Sequence, residues 1–209
     1  MGALTFGWFH KSIKDYIVTG QVAGLIPSGL DNGYDGEYAG WEERTSFNSG
    51  TAIAQGWEFS YSQQLTFLPG HLRGLAVSFN YSHVGTHGLR GGTRYLTSRE
   101  VTGFIPNTAN ASLSWRHRSG FSARALYNLS GENITTLSAV TTPGLNIYRA
   151  SMKTLNLGVS YQYKPSLGFT VDVSNVFNEP QEFYMGTKEY LRQSTTNFVA
   201  VTIGMSGRF

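Results

Sequence analysis

Residues Thr196–Phe209 have the sequence TNFVAVTIGMSGRF, and this stretch decides the fold. One set of alternate positions is apolar and ends on an aromatic residue: Val199, Val201, Ile203, Met205 and Phe209. The other set becomes polar towards its end: Phe198, Ala200, Thr202, Gly204, Ser206 and Arg208. A strand that is apolar towards lipid and polar towards a lumen is typical of a bacterial outer-membrane β-barrel. A soluble edge strand of this pattern would normally carry a charge or a proline that prevents edge pairing.

The composition supports the same class of protein. Charged residues make up 14% of the chain, well below the roughly 25% of soluble domains, and aromatic residues also reach 14%. The chain has no cysteine, which excludes disulfides and thiolate metal sites. A net charge of +3 with scattered basic residues gives no support to nucleic-acid binding. No apolar run approaches the roughly 20 residues of a membrane helix, so any membrane crossing must use strands.

Alternation with a period of two predicts about eight long strands along the chain. They are Ala3–Val18, Thr51–Phe67, Leu75–Val84, Ala109–Arg118, Phe121–Leu129, Leu155–Tyr163, Phe169–Phe177 and Thr196–Phe209. Their length of roughly 9–13 residues suits a tilted crossing of the membrane better than the shorter strands of soluble proteins.

The connections between these strands alternate in length. Short turns are predicted at Leu68–Gly74, Ser119-Gly120 and Lys164–Gly168. Long loops are predicted at Thr19–Ser49, Gly85–Thr108, Ser130–Ser151 and Asn178–Thr195. The fold class predicted here is therefore all-β, an antiparallel transmembrane β-barrel segment with short periplasmic turns and long extracellular loops.

Polar residues occupy the face of the strands that would line the lumen. They are Ser60, Ser62, Gln64, Ser78, Asn80, Ser82, Ser112, Ser114, Asn156 and Gln162. The exposed face of a soluble antiparallel sheet would carry the same residue types, so this face alone leaves both alternatives open. His83 and His117 fall on the apolar face near strand ends, where interfacial side chains are expected rather than metal ligands.

Four short motifs resemble those of TonB-dependent outer-membrane receptors. Val171–Pro180 (VDVSNVFNEP), followed by Tyr184 and Gly186, resembles their penultimate segment, and Ile203–Phe209 resembles their closing strand. Asn48–Ala52 with Gly56-Trp57-Glu58 is similar to the family pattern N-x-G-x-A…G-x-E, and Phe9–Asp15 is similar to F-x-K-x-I-x-D. The motifs occur in the family's order and extend over essentially the whole chain.

This resemblance implies that residues 1–209 are the C-terminal portion of a receptor β-barrel in the cell outer membrane. No segment resembles the plug domain or the peptide that contacts TonB, and there is room for about eight of the family's roughly 22 strands. Met1–Trp8 lacks the features of a signal peptide, which suggests the tail of a longer protein. The implied partners are outer-membrane lipid, the missing plug and N-terminal barrel strands, and TonB only through that missing part.

The implied function is uptake of a bulky small-molecule nutrient, an iron chelate or a carbohydrate, with no cofactor and no enzymatic activity. The ligand-binding candidates are aromatic and basic residues of the first two long loops: Tyr34, Tyr38, Trp41, Arg90, Arg94 and Tyr95. Such side chains can stack on a sugar or an iron chelate, although loop packing would explain the aromatic residues equally well.

The first long loop also contains a pattern of oxygen ligands. Asp31, Asp35, Glu37 and Glu42 occupy positions 1, 5, 7 and 12 of a calcium-loop spacing. Gly33 stands at position 3 and no flanking helices are expected, so a solvated acidic loop is the preferred interpretation and no metal site is predicted.

Two other classes of protein remain as alternatives to a transporter part. One is a small self-closed eight-stranded membrane barrel with an adhesive or enzymatic role. The other is a soluble β-sandwich binding module, whose apolar faces would pack against each other instead of facing lipid. The sequence contains no recognisable catalytic motif.

Overall fold

The structure is a computed structural model that describes residues 2–48, 50–90, 100–138 and 144–207. The described residues form fourteen strands and one short 3-10 helix, Gly70–Gly74. The strands are β1 (Gly2–Ile13), β2 (Ile17–Leu25), β3 (Glu42–Asn48), β4 (Gly50–Gln64), β5 (Leu75–Arg90), β6 (Asn107–Arg116), β7 (Phe121–Ser130), β8 (Asn133–Thr136), β9 (Ile147–Arg149), β10 (Met152–Lys164), β11 (Leu167–Ser174), β12 (Gln181–Met185), β13 (Thr187–Thr195) and β14 (Ala200–Gly207).

Eight of these strands form one antiparallel sheet in the order β1-β4-β5-β6-β7-β10-β11-β14. They correspond one by one to the eight strands predicted from alternation, and the all-β prediction is confirmed. The bounds differ most at three strands: β1 ends at Ile13 rather than Val18, β14 begins at Ala200 rather than Thr196, and β5 ends at Arg90 rather than Val84. β5 therefore includes the first six residues of the second predicted loop. Arg208 and Phe209 lie outside the described residues.

One face of this sheet is apolar and open to the surroundings. Strand pairing places Phe6, Phe59 and Tyr81 in a single row across β1, β4 and β5. At the other edge of the sheet, Ile203 of β14 is 79% exposed and Met205 is 71% exposed. Apolar side chains so widely exposed in water would be strongly unfavourable, whereas lipid would cover them at no such cost.

The opposite face is polar, and strand pairing puts all ten predicted lumen residues on it. Its most regular row crosses five strands and consists of Ser60, Asn80, Asn110, Asn128 and Thr154. Asn110 Nδ2 donates a hydrogen bond to Asn80 Oδ1 at 2.8 Å. Ser78 and Ser112 hydroxyl oxygens are 2.6 Å apart in the adjacent row. The inner face is therefore a hydrogen-bonded polar surface rather than a packed apolar core.

Three of the predicted long loops contain strands, which corrects that part of the prediction. β8, β9, β12 and β13 form a four-stranded sheet, the small sheet, in the order β13-β12-β9-β8. This order matches the order β14-β11-β10-β7 in the large sheet. The match arises because β13 precedes β14, β12 follows β11, β9 precedes β10 and β8 follows β7 directly in the chain. β2 and β3 pair with each other in the first long loop.

The eight-stranded sheet is open. Among the described residues, β1 and β14 each pair on one side only, so their other edges carry unpaired backbone groups. The apolar face is not covered by a second sheet in the described part of the chain, which argues against the soluble β-sandwich. No helix among the described residues is long and apolar enough to cross a membrane.

Candidate ligand-binding surface

The first long loop begins as a continuation of the β1–β4 hairpin. Ile13 pairs with Ala52 and Ile17 pairs with Asn48, so the register is the same before and after the junction. At the junction, Asn48 Nδ2 donates to Asp15 Oδ1 at 3.0 Å, and Asn48 Oδ1 accepts from the Gly50 amide at 2.9 Å. The nine residues of β2 then extend the hairpin by roughly 30 Å.

Asn32 organises the tip of this hairpin. Its side-chain amide donates to the carbonyl oxygens of Pro27 (3.2 Å) and Glu37 (2.8 Å). Its side-chain oxygen accepts from the amides of Tyr34 (2.9 Å) and Gly36 (3.0 Å). Four hydrogen bonds from one asparagine hold the loop in a defined conformation. Sequence reasoning missed this role, although the Asp-Asn-Gly turn signature at residues 31–33 could have indicated it.

Three of the predicted ligand-binding residues meet at this tip and form what we term the aromatic cluster: Tyr34, Tyr38 and Trp41. The ring centroids of Tyr34 and Tyr38 are 5.8 Å apart, and those of Tyr38 and Trp41 are 5.6 Å apart, both in edge-to-face arrangements. Trp41 is 66% exposed, so much of its indole surface is accessible to a ligand. The cluster combines a fixed backbone with open aromatic faces, which suits recognition at low entropic cost.

The side chains predicted for the second loop are not placed. Arg90 is the last residue of β5, but its side chain, Arg94 and Tyr95 lie outside the described part of the chain. Their proximity to the aromatic cluster therefore remains a prediction.

The acidic residues of the first loop are interspersed in sequence with the aromatic cluster and, in the part of the chain that the structure describes, do not form a metal-binding group. Asp31, Asp35, Glu37 and Glu42 are exposed. The Glu42 carboxylate pairs with Arg44 at 2.9 Å. Within the described residues, no group of three or more His, Asp or Glu side chains is arranged to hold a metal ion. The arrangement makes the tip of the hairpin negatively charged.

A second polar group lies on the small sheet. Tyr184 is only 5% exposed, and its ring stacks on that of Tyr148 with the centroids 5.2 Å apart. Burial, together with a hydrogen bond to the Glu132 carboxylate, raises the pKa of Tyr184 well above its ordinary value. Glu132 also pairs with Lys188 at 3.3 Å. Sequence reasoning gave these residues no role, although Tyr184 belongs to one of the four motifs.

An ion pair crosses three strands on the polar face of the eight-stranded sheet. Arg124 Nη2 on β7 lies 2.8 Å from Asp172 Oδ1 on β11. Gly158 of β10 lies between them in the same row, and a Cβ atom there would come within 2.6 Å of both side chains. The glycine leaves room for the two charges to meet. Both side chains remain partly solvated, so the pair adds little stability.

Comparison with known proteins places these features in a family context. The family model for the TonB dependent receptor-like, beta-barrel domain matches residues 1–178. A comparison with curated proteins gives no match.

Several solved structures share the fold. The FrpB iron transporter from Neisseria meningitidis (F5-1 variant, apoprotein form) is similar with a TM-score of 0.62 and 17% identity, over 100% of this chain and 29% of its own. A mutant of the ferric enterobactin receptor PfeA from Pseudomonas aeruginosa has a TM-score of 0.62 and 17% identity, over 99% and 29%. The siderophore receptor PirA from Acinetobacter baumannii has a TM-score of 0.61 and 14% identity, over 100% and 30%. The chain spans less than a third of the length of these proteins.

Proposed function

Because this chain belongs to the TonB dependent receptor-like β-barrel family, we propose that residues 1–209 form the C-terminal wall of an outer-membrane receptor for a bulky nutrient. The observation that carries the proposal is the pairing of eight long strands with one exposed apolar face and one hydrogen-bonded polar face. A transporter wall requires both faces, since lipid covers one and a hydrated lumen or a plug meets the other.

On this proposal, the chain forms part of the barrel wall and carries loops that capture the ligand, and it has no catalytic role. The plug, the remaining barrel strands and the contact with TonB belong to the rest of the receptor. The open edges of β1 and β14 support this division, because every backbone group in the bilayer needs a partner.

The aromatic cluster is proposed as a first contact for the nutrient, with Arg90, Arg94 and Tyr95 as further candidates on the next loop. Arg90 and Arg94 would attract an anionic iron chelate, whereas the loop that carries the aromatic cluster is acidic, and the charge of that loop favours the carbohydrate as the ligand of the cluster itself. Asp31, Asp35 and Glu37 stand within the same loop and repel an anionic iron chelate, whereas an uncharged sugar can stack on Trp41 without that cost.

The test is binding of a linear neutral glucan or ferric enterobactin to this chain folded in detergent together with the N-terminal barrel strands of its receptor, measured by isothermal titration calorimetry. We expect the glucan to bind and Trp41→Ala or Tyr38→Ala to weaken it by about 1 kcal/mol each, roughly fivefold in Kd. Tyr190→Ala, which removes an exposed tyrosine from β13, is the matched control and should leave the Kd unchanged. Preferential binding of ferric enterobactin would reverse the substrate assignment, and equal losses in all three variants would remove the aromatic cluster from the site.

A further inference from the structure

The Arg124–Asp172 ion pair lines a pocket on the polar face of the eight-stranded sheet. Arg124 of β7 and Asp172 of β11 are in one row, with Gly158 of β10 between them, and Thr202 of β14 continues this row. The pocket has a volume of about 320 Å³, within the range of about 300–1,000 Å³ that is usual for small-molecule sites. Its lining residues on the polar face are Arg124, Leu126, Asn156, Asp172, Ser174 and Thr202.

Gly158 keeps this pocket open. A Cβ atom at this position would lie 2.5 Å from Asp172 Oδ1 and 2.6 Å from Arg124 Nε, so any larger residue would push the two charged groups aside. The Arg124 side chain is 60% exposed and that of Asp172 is 36% exposed, so a ligand can reach both. An ion pair this exposed contributes little to stability, which leaves ligand binding as a reason for placing two charges here.

The charges in the pocket cancel. Arg124 and Asp172 are its two charged lining residues, and Arg124 Nη2 lies 2.8 Å from Asp172 Oδ1. Asp172 Oδ2 can still accept a hydrogen bond, and the guanidinium has further N–H groups to donate. Two neighbouring hydroxyls of a sugar match this arrangement, because one can donate to the carboxylate while the other accepts from the guanidinium. An anionic ligand gains less, since Asp172 repels it at the same short range at which Arg124 attracts it.

The next row of the polar face adds an apolar contact and a further donor. Leu126 of β7 is 37% exposed and pairs across the strands with Asn156 of β10. Asn156 Oδ1 accepts from the Asn175 amide at 2.9 Å, which fixes the side-chain amide, and Nδ2 can donate to a hydroxyl. A sugar ring carries C–H groups on its faces and hydroxyls at its edge, so it can contact Leu126 and hydrogen-bond to Asn156 at the same time.

We propose that this pocket, which we term the wall site, binds one sugar unit of an uncharged carbohydrate at the polar face of the barrel wall. The proposal rests on the carbohydrate uptake proposed above and adds a second binding position to the aromatic cluster. Three features select this class of ligand: the pocket has no net charge, its charged groups suit hydroxyls, and an exposed leucine suits the apolar face of the ring.

The experiment measures binding of maltohexaose, a linear neutral glucan, to the complete receptor in detergent by isothermal titration calorimetry. We expect Asp172→Asn to raise the Kd by about tenfold, because it removes the charged acceptor of the hydroxyl hydrogen bond. Gly158→Ala should raise the Kd by about tenfold as well, because its Cβ separates the ion pair and fills the pocket. Leu126→Ala should raise it by about threefold through loss of apolar contact.

A change in ligand preference separates direct binding from a structural role. Asp172→Asn leaves the Arg124 charge unopposed, so it should strengthen binding of hexagalacturonate, an anionic oligosaccharide of the same number of sugar units, by about threefold. A variant that merely disturbed the sheet would weaken both ligands, and that result would contradict the wall site. Far-UV circular dichroism establishes that each variant keeps its β-structure.

Glu58→Gln is the matched control, because Glu58 is an exposed carboxylate on the same polar face, opposite Ser82, and does not line the pocket. It should leave the Kd for maltohexaose unchanged. Undiminished binding in Asp172→Asn and Gly158→Ala, with Trp41→Ala still weakening it, would overturn the wall site and leave the aromatic cluster as the site. An equal loss in Glu58→Gln would also overturn it. No maltohexaose binding by the parent receptor would remove the carbohydrate assignment and the wall site together.

Discussion

Asn48 explains why two of the short motifs carry the residues they do. Its side chain joins Asp15, the last residue of the F-x-K-x-I-x-D motif, to Gly50 of the N-x-G-x-A motif. Asp15 and Gly50 both have positive φ angles, 54° and 89°, so each strand turns at this point. Motifs that are remote in sequence therefore meet where the hairpin leaves the main sheet. The sequence pattern indicated their presence but not their contact, because the contact depends on strand register.

Gly56 of the same motif is required by the close approach of a neighbouring backbone. A Cβ atom at this position would collide with the His83 carbonyl oxygen on β5. We expect Gly56→Ala to destabilise the chain, folded in detergent together with the N-terminal barrel strands of its receptor, by about 1–3 kcal/mol in urea unfolding. Gly7→Ala is the control, since a Cβ at Gly7 meets nothing within 4 Å. Equal stability of the two variants would show that β4 and β5 adjust freely and that Gly56 has no such role.

At the scale of elements, alternation predicted the strands that have an apolar and a polar face, and it missed the others. β3 contains Glu42, Glu43 and Arg44 in succession, and every residue of β13 is exposed. Strands with water on both faces need no apolar alternation, so period-two patterning cannot reveal them. β8, β9 and β12 have buried or half-buried residues, but with three to five residues each they are too short to show a period of two. Their existence follows instead from hydrogen bonding that continues the neighbouring hairpins.

The small sheet should respond to alkaline pH through Tyr184. Its pKa is raised in the folded state, mainly by burial and then by the Glu132 carboxylate, so the folded state retains a proton that the unfolded state loses above about pH 10. The stability of the small sheet is therefore fully present below about pH 10 and falls as the pH rises further. Hydrogen exchange of residues 181–195 between about pH 9 and 11, normalised for intrinsic exchange, measures this fall. Tyr184→Phe should flatten the dependence, and an unchanged slope in that variant would contradict it.

For the whole molecule, the open sheet is the decisive feature. The sequence predicted eight strands, and the structure joins them in order, but β1 and β14 do not meet each other in the described residues. Closure could not be predicted from alternation because each strand's pattern is the same in an open and a closed sheet. An open edge in lipid leaves backbone groups unpaired, so we expect the chain to depend on further strands.

Refolding from urea into detergent micelles tests this dependence. We expect the chain alone to aggregate, and to fold when the N-terminal barrel strands of its receptor are supplied as a second polypeptide. Heat-modifiable gel mobility and far-UV circular dichroism distinguish the two outcomes. A compact heat-sensitive monomer formed by the chain alone would favour a small self-closed barrel, and folding in plain buffer would exclude a membrane protein.

The most direct test of the central claim is a spin-label scan of β14 in the receptor reconstituted in lipid. This chain has no cysteine, so each single-cysteine variant adds one labelled position to it, and the receptor without the added cysteine gives the background signal. The variants are Val201→Cys, Ile203→Cys and Met205→Cys on the apolar face, and Thr202→Cys and Ser206→Cys on the polar face. We predict that labels on the apolar face collide mainly with dissolved oxygen, which concentrates in lipid. Labels on the polar face should be accessible mainly to a water-soluble nickel chelate if that face lines a lumen. If a plug covers the polar face, its labels should be accessible to neither reagent. Protection of the apolar positions from both reagents, or loss of the alternation, would contradict a lipid-facing β14 and with it the barrel wall.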